Sequence, residues 1–334
     1  MSELRFNPLT GRWVTIAAER RFRPGDFSPR RLPVQVDLGR PCPFCPGNEE
    51  ETPPALETYG PHGHWSVRIV PNLFPAFDGD GPFDVSEAGH LRRRAPGNGI
   101  HEVLVFSPDH GASWADLSDT QAVLVMAAVR DRLEDHAAAT AVAYTQVIVN
   151  HGREAGASIE HPHGQLLGMP FVPGELEDEL AAFDGFAREA GAGAGDGGLV
   201  VATLRAEEAR GELLVAADDR TVALCPYWSG SPYELLVAPR EELGHLDRAA
   251  PADLAAIGRM LRDVLVRLRK VLGDVAYNLV VHSAPHRQER GFHWHVHVLP
   301  HVTTGAGFEL GTGVRINVVP PEVAARQLRD VARG

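Results

Sequence analysis

The chain has 334 residues, of which 44% are hydrophobic and 23% are charged, so it can build one large domain or two modest ones. Its 44 acidic residues exceed its 32 basic residues, and the net charge of −12 disfavours nucleic-acid binding, which depends on neutralising phosphates. The sequence has no apolar run of about 20 residues that could span a membrane. Its opening lacks the features of a signal peptide, and its three cysteines predict a reducing, cytoplasmic setting.

The predicted elements follow an opening stretch of about a hundred residues that is rich in proline, glycine and turns, which we interpret as strands and loops. Residues 101–110 then form a predicted strand, and a helix over residues 117–136 has Ser118 as its N-cap. Another strand covers residues 143–152 and leads into the sequence HPHGQ. The first half therefore predicts a strand, a helix, a strand and a histidine-containing segment.

The second half repeats this order of elements at nearly the same spacing. A strand is predicted over residues 232–240, a helix over 251–272, a strand over 276–286 and a histidine-rich strand over 292–300. Such a repeat indicates an internal duplication.

A Gly/Ala-rich stretch separates the two repeats. We therefore predict an N-terminal domain over residues 1–185, a linker over residues 186–198 and a C-terminal domain over residues 199–334.

The sequence CPFC contains two cysteines, Cys42 and Cys45, at a spacing that suits either half of a zinc site or a redox pair. The surrounding prolines and Gly47 favour the metal site. Tetrahedral zinc needs two further ligands, and His110 and His161 are the best candidates because they lie at predicted strand ends. Two unligated thiols in a loop are the alternative.

The sequence HWHVHV places three of the sixteen histidines at alternate positions of a predicted strand. Alternation puts their side chains on one face, while the residues between them pack on the other. We expect a metal site or a phosphate-handling surface there, formed by His293, His295 and His297.

The sequence HPHGQ combines a stiff and a permissive residue around a second imidazole. Pro162 restricts the backbone, and Gly164 is interpreted as admitting a ligand. His163 can attack phosphorus if its other nitrogen is held by an acceptor, although a hydrogen-bonded structural histidine is the alternative. Gln165 can donate an N–H to a phosphate oxygen but cannot protonate a leaving group, which suits a good leaving group such as a sugar phosphate.

Together these motifs resemble the galactose-1-phosphate uridylyltransferase family, the GalT-like branch of the histidine-triad superfamily. The similarity extends from NPLTGRW through CPFCPGN, FSPDH, residues 150–165 and HWHVH to PPEVAARQLR, and so covers almost the whole chain. It implies an α+β fold that duplicates a histidine-triad-like unit, with antiparallel sheets and packed helices.

The resemblance also implies roles for individual residues. His163 matches the nucleophile that becomes nucleotidylated, and Gln165 matches the residue that steadies the covalent intermediate. The family's structural zinc ligands match Cys42, Cys45, His110 and His161. A second metal site, for iron or zinc, which some members carry, resembles Glu179, His282, His295 and His297.

Substrate contacts follow from the same resemblance. Arg20 and Arg23 match basic residues that meet the nucleotide phosphates, partly across a dimer interface, which implies a homodimer. Other nucleotide-binding positions match Asn72, Asn150, Gly156 and Ser158, and the sugar-contacting stretch matches Phe308 and Glu309. Leu73 replaces an acidic residue of some uridylyltransferases and Thr303 a basic one, so uracil and adenine both stay open as the base.

The implied activity is ping-pong transfer of a nucleoside monophosphate from a nucleotide sugar to a hexose 1-phosphate. In the parent case, UDP-glucose and galactose 1-phosphate give glucose 1-phosphate and UDP-galactose. The stretch GFELGTGVRINVVPPE is similar to ADP-glucose phosphorylases, which supplies an alternative with orthophosphate as acceptor. Gln165 disfavours a histidine-triad hydrolase, and the intact HPHGQ disfavours a zinc-stabilised protein that only binds nucleotide sugars. No nucleic acid or membrane partner is expected.

Overall fold

The structure is a computed structural model that describes residues 2–22, 41–61, 63–190, 198–289 and 291–332. In chain order its strands are β1 (Glu3–Asn7), β2 (Arg12–Ile16), β3 (Glu57–Tyr59), β4 (Val67–Pro71), β5 (Ser86–Glu87), β6 (Arg93–Arg94), β7 (Ile100–Val105), β8 (Tyr144–His151), β9 (His163–Met169), β10 (Leu214–Ala217), β11 (Thr221–Leu224), β12 (Leu235–Pro239), β13 (Tyr277–His282), β14 (His295–Pro300) and β15 (Ile316–Asn317). Its α-helices are α1 (Asp119–Ala138), α2 (Gly174–Ala190), α3 (Leu199–Arg210), α4 (Pro251–Leu272), α5 (Gly307–Thr312) and α6 (Pro321–Asp330).

One large antiparallel sheet crosses the whole molecule in the strand order β10-β11-β12-β14-β13-β8-β9-β7-β4-β3. The predicted halves meet at its centre, where β8 pairs with β13 and Asn150 lies opposite Asn278. A smaller sheet joins β1, β2 and β15. The predicted α+β class with antiparallel sheets and packed helices is confirmed.

The internal duplication is visible as two runs of strand, helix, strand and strand. The first run is β7, α1, β8 and β9, and the second is β12, α4, β13 and β14. Matching histidines lie 132 positions apart in the two runs, as residues 161 and 293 and residues 163 and 295 do. The sequences of the two units therefore align without a gap around these histidines.

The two faces of the sheet are covered differently. On one face, apolar side chains such as Leu166 and Val296 are buried against α1, α4 and α6. On the other face, α2, α3 and the β1–β2 hairpin cover one end, and the CPFC loop covers the opposite end. Between these two coverings, β9, β8 and β13 present polar residues that stay half-buried: Gln165, Asn150 and Asn278. Strand alternation thus separates an apolar core from a polar strip.

Helices α1 and α4 pack closely on the covered face. The Ser118 side chain caps α1 by accepting from the Gln121 N–H at 3.1 Å, as predicted. A Cβ on Gly258 of α4 would lie 2.7 Å from the main-chain oxygen of Ala122, so glycine lets the two helices approach. Within the described ranges, no helix is long and apolar enough to cross a membrane.

Helix α2 corrects part of the predicted linker. Because α2 runs to Ala190, residues 186–190 are helical and do not belong to a flexible segment. Residues 191–197 lie outside the described residues. The helix also packs on the second half, with the Phe183 and Phe292 rings 4.8 Å apart. The domain division at residues 185 and 199 stays a prediction.

Candidate functional site

His163 begins β9 on the polar strip, and only 7% of its surface is exposed. Its Nδ1–H donates to the main-chain oxygen of His161 at 2.8 Å, since a carbonyl can only accept. Burial disfavours the charged imidazolium and lowers the pKa of His163. The ring is therefore neutral at pH 7, with its proton on Nδ1 and the lone pair on Nε2 that attack on phosphorus requires.

An aromatic ring from the CPFC loop packs against His163. The Phe44 ring centroid lies 5.3 Å from that of His163 and 6.1 Å from that of His161, and Phe44 is buried. Phe44 lies between Cys42 and Cys45 in sequence, so the loop that carries the thiols also restrains the His163 ring. The aromatic residue inside the CPFC motif was the available sequence signal for this contact.

Gly164 has a different role from the one that its sequence context suggests. A Cβ at this position would lie 2.9 Å from the main-chain oxygen of Ile148 and 3.2 Å from Cγ2 of Val149. The glycine therefore allows β9 to approach β8, and the interpretation that it admits a ligand is wrong.

Gln165 contacts a residue of β7, which in turn contacts a residue of the segment after β4. Its Oε1 is 2.8 Å from Nε2 of His101 on β7. The Asn72 amide nitrogen lies 3.1 Å from the same ring nitrogen, which brings the predicted nucleotide-binding Asn72 to Gln165. Sequence patterns gave no signal for His101, because a single histidine in a predicted strand belongs to no motif.

Asn150 is oriented by the second half of the chain. Asn278 Nδ2 donates to Asn150 Oδ1 at 2.7 Å, and Asn278 Oδ1 accepts from His301 Nε2 at 2.5 Å. Gly156 stands close by in a left-handed conformation, and a Cβ there would lie 3.8 Å from Asn150 Nδ2. Ser158 is exposed in the same β8–β9 connection. Neither Asn278 nor His301 belonged to a recognisable sequence pattern.

The four residues expected to bind zinc come together: Cys42, Cys45, His110 and His161. Their ligand atoms lie within 4.8 Å of one another, and Cys45 Sγ is 3.4 Å from His110 Nδ1 and 3.6 Å from His161 Nδ1. Tetrahedral zinc with bonds of about 2.0–2.3 Å needs nitrogen and sulfur ligands roughly 3.5 Å apart, so the group fits a metal. His161 Nε2 donates to the Ser107 main-chain oxygen at 2.8 Å, which turns Nδ1 towards the thiols.

A second group forms on the same face of the sheet, where β13 pairs with β14 and α2 covers them: Glu179, His282, His295 and His297. Glu179 comes from α2 and is 1% exposed, and its Oε1 lies 2.9 Å from His282 Nδ1. Glu179 Oε2 and His295 Nε2 are buried without a hydrogen-bond partner and stand 3.8 Å apart. Such orphaned atoms fit a cation with nitrogen and oxygen ligands.

His293 differs from the expectation for HWHVHV. Its Nε2 donates to the Pro239 main-chain oxygen at 2.8 Å, and its Nδ1 accepts from the Leu243 N–H at 3.0 Å. Both ring nitrogens are therefore used within the fold, and only His295 and His297 of the three join the metal-type group.

The two halves repeat one hydrogen-bond pattern around these histidines. His295 Nδ1 donates to the His293 oxygen at 2.8 Å, as His163 does to His161. The two rings differ in the groups that lie next to Nε2. Glu179 lies beside His295, whereas among the residues that the structure describes nothing bonds to His163 Nε2.

Of the remaining predicted contacts, Arg20 and Phe308 are exposed. Arg20 is exposed in the 3-10 helix Ala18–Phe22, and Arg23 lies outside the described residues. Phe308 is exposed on α5, where Glu309 Oε2 accepts from the Ala306 N–H and closes its own helical turn. Their roles in substrate binding stay predictions.

Comparison with protein families gives two matches. Residues 1–173, more than half of the chain, match the model described as "Galactose-1-phosphate uridyl transferase, N-terminal domain". Residues 208–304 match the model described as "HIT domain". The boundary between the two matches agrees with the duplication seen in the fold.

Individual proteins are similar over nearly their full lengths. An ADP-glucose phosphorylase of Arabidopsis thaliana is 28% identical over 99% of this chain and 93% of its own. A galactose-1-phosphate uridylyltransferase of Thermotoga maritima is also 28% identical, over 99% of this chain and 98% of its own. The crystal structure of an Arabidopsis thaliana ADP-glucose phosphorylase with bound ADP-glucose has a TM-score of 0.82 at 26% identity, covering 99% of this chain and 98% of that one.

Proposed function

Because the chain belongs to the galactose-1-phosphate uridyl transferase family, we propose that it transfers a nucleoside monophosphate between a nucleotide sugar and a hexose 1-phosphate. The reaction is of the galactose-1-phosphate uridylyltransferase type, in which UDP-glucose and galactose 1-phosphate give glucose 1-phosphate and UDP-galactose. The observation that carries the proposal is the neutral His163 on the polar strip, whose Nδ1–H is held by a carbonyl while Nε2 has no hydrogen bond to any residue that the structure describes.

Each half-reaction exchanges one bond at the α-phosphorus. His163 Nε2 attacks that phosphorus, a P–N bond forms, and the P–O bond to the hexose 1-phosphate breaks with its electron pair leaving on oxygen. A phosphate oxygen of the acceptor then attacks, and the P–N bond breaks to restore the lone pair on Nε2. The leaving sugar phosphate needs no proton. This suits a site in which Gln165, two residues after His163 on β9, cannot protonate the leaving group.

Two amide side chains can stabilise the charge that builds on the phosphate. Gln165 and Asn150 each have the side-chain oxygen engaged by a neighbouring donor, so their N–H groups are available to phosphate oxygens. Exposed Arg20, together with Arg23, would add positive charge at the nucleotide phosphates. These donors act by positioning and electrostatics.

A second candidate function is ADP-glucose phosphorylase, with orthophosphate as the acceptor. It is favoured by the 28% identical phosphorylase and by the TM-score of 0.82 for the ADP-glucose complex. The chemistry at His163 would be the same in both reactions, and only the base and the acceptor would differ.

The resemblance further suggests the identity of the metals and the assembly. We propose zinc for the group of two cysteines and two histidines, and iron or zinc for the group that contains Glu179. Thiolate and imidazole ligands favour zinc, and its contribution at the first site would be structural. A cytoplasmic homodimer is proposed on the same basis.

The proposed function is tested by covalent labelling. Wild-type protein is incubated with UDP-glucose or ADP-glucose labelled at the α-phosphorus, denatured and counted. We expect acid-labile label on the wild type and on the control His90→Ala, whose exposed side chain lies in the β5–β6 hairpin, and none on His163→Ala. Stable label retained by His163→Ala would contradict the proposal.

The acceptor is identified in the second half-reaction. Labelled protein is mixed with galactose 1-phosphate or with orthophosphate, and the released nucleotide is separated. Release as UDP-galactose supports the uridylyltransferase, and release as ADP with orthophosphate supports the phosphorylase. Release as the free monophosphate without any acceptor would indicate a hydrolase.

A further inference from the structure

We propose that His101 is a positioning residue that holds the Gln165 side chain with its amide N–H groups towards the transferred phosphate. The inference rests on the proposed nucleotidyl transfer through His163. His101 and Gln165 project from the neighbouring strands β7 and β9 on the same face, where their side chains are diagonal neighbours.

The proton on His101 is assigned by a main-chain donor. The Ala76 N–H donates to His101 Nδ1 at 3.0 Å, so Nδ1 must carry a lone pair. A neutral imidazole has one N–H, which is then on Nε2, and this N–H can only meet an acceptor. The atom 2.8 Å away is therefore the amide oxygen of Gln165, because Asn72 turns a nitrogen towards Nε2 and a reversed Gln165 amide would leave the Nε2–H without an acceptor.

This bond decides which end of the Gln165 amide is free. With Oε1 engaged by His101, Gln165 Nε2 has no partner among the residues that the structure describes. The Asn72 amide nitrogen, 3.1 Å from His101 Nε2, faces this N–H without a hydrogen bond to it, because the Asn72 oxygen accepts from the Phe74 N–H at 2.9 Å. Donors thus outnumber acceptors at this point of the strip.

A surplus of donors suits an anionic group rich in acceptors, such as the non-bridging oxygens of a phosphate. Without the His101 N–H, the Gln165 amide is free to rotate by 180° and to turn Oε1 towards the phosphate. Oxygen facing oxygen would repel the charge that builds during transfer. His101 therefore acts on the reaction through Gln165, without touching the reacting atoms.

The test compares two variants of similar size. His101→Phe keeps a ring but lacks the N–H, and His101→Gln can place an amide N–H near the position of Nε2. We expect His101→Phe to slow single-turnover labelling of His163 by about 10- to 100-fold, which is below the loss for a direct oxyanion donor. His101→Gln should recover most of the rate. Equal rates for the two variants would overturn the inference.

A double-mutant cycle separates positioning from general damage to the fold. In a Gln165→Ala background, His101→Phe should change the labelling rate by less than about 2-fold, because the group that it orients is gone. The same loss in both backgrounds would show that His101 does not act through Gln165. His90→Ala is the matched histidine control. A wild type that takes up no label would overturn the proposed function, and the inference with it.

Discussion

His161 takes part in two arrangements through different atoms. Its Nδ1 faces Cys45 at 3.6 Å, while its main-chain oxygen accepts from His163 Nδ1 at 2.8 Å. A metal held by the ring would fix the carbonyl that selects the tautomer of His163. The position of the metal group directly before the candidate nucleophile thus has a physical reason.

Loss of the first metal should reduce stability more than chemistry. We expect about one tightly bound zinc per chain, and Cys42→Ser to lower the free energy of unfolding by about 3 kcal/mol or more, because ligand binding is coupled to folding. Metal analysis and urea unfolding measure the two effects. The control Cys225→Ala, which changes the buried third cysteine outside the four-ligand group, should leave the protein with its bound zinc. Freshly purified protein without metal would count against the four-ligand group.

His286 belongs to a buried polar chain away from the polar strip. Its Nε2 lies 2.8 Å from Thr145 Oγ1, which is 3.0 Å from His136 Nδ1. Burial lowers the pKa of His286 to about 3, assisted by nearby positive charge. The folded protein therefore holds this imidazole neutral where the unfolded chain protonates it.

His286 should make stability fall in mild acid. Its folded pKa lies below the unfolded value of about 6.5, so its contribution is complete above pH 6.5 and is lost as the pH falls towards 3. Between pH 7.5 and 5 the loss is about 2 kcal/mol. His286→Gln should remove this part of the pH dependence in urea unfolding, and the exposed His90→Gln should not. An unchanged slope for His286→Gln would contradict the assignment.

Residues in motifs were predictable from sequence, and isolated residues were not. The zinc-type group was predicted because the motifs CPFC and HPHGQ contain three of its ligands at spacings that are typical of metal and phosphate chemistry. His101 and His286 carry no such pattern, because their partners come from strands that are distant in sequence. Only the pairing of β7 with β9 and of β8 with β13 brings those partners together.

At the scale of elements, helices and strands of the duplicated units follow their sequence patterns closely. Helix α4 covers residues 251–272 as predicted, and α1 begins two residues after the predicted start. Sequence could not show which glycines allow close packing, because that depends on the partner element. Gly258 against α1 and Gly164 against β8 became evident only in the fold.

Two alanine substitutions in helices should have opposite effects. Gly258→Ala must displace Ala122 on α1, since its Cβ would meet the main-chain oxygen at 2.7 Å, and should destabilise by about 1–3 kcal/mol. Gly185→Ala in α2 has nothing within 4 Å and should stabilise by about 0.5–1 kcal/mol through helix propensity. Urea unfolding measures both. If the Gly258→Ala protein were as stable as the wild type, α1 and α4 could move apart at this contact without a loss of stability, and the prediction would be wrong.

At the scale of the whole molecule, the polar strip belongs to both halves. The candidate nucleophile comes from the first half, whereas the residue that orients Asn150 comes from β13 of the second. The central pairing of β8 and β13 therefore does more than join the two halves of the chain. It completes the arrangement of donors around the proposed phosphate position.

Replacing the Asn278 N–H that donates to Asn150 by a hydrogen-bond acceptor should impair nucleotidyl transfer. Asn278→Asp has the same size but faces Asn150 Oδ1 with an acceptor, so the Asn150 amide must flip and lose its N–H from the site. We expect labelling of His163 to slow by about 10- to 100-fold. Asn98→Asp, in the connection before β7, loses only the bond from its amide to the Pro82 main-chain oxygen and should stay within about 2-fold of the wild type. Labelling of Asn278→Asp at the wild-type rate would contradict a shared site.

The packing of α2 on the second half has a consequence for synthesis on the ribosome. Phe183 emerges roughly a hundred residues before Phe292, the ring that it contacts at 4.8 Å. At about 5–20 residues per second, the apolar side of α2 waits for about 5–20 seconds without that partner. During this interval Glu179 is also without His282 and His295. In the nascent first half, the apolar surface of α2 that later meets Phe292 is therefore uncovered. We expect chaperones that bind apolar surfaces to associate with the chain at this stage.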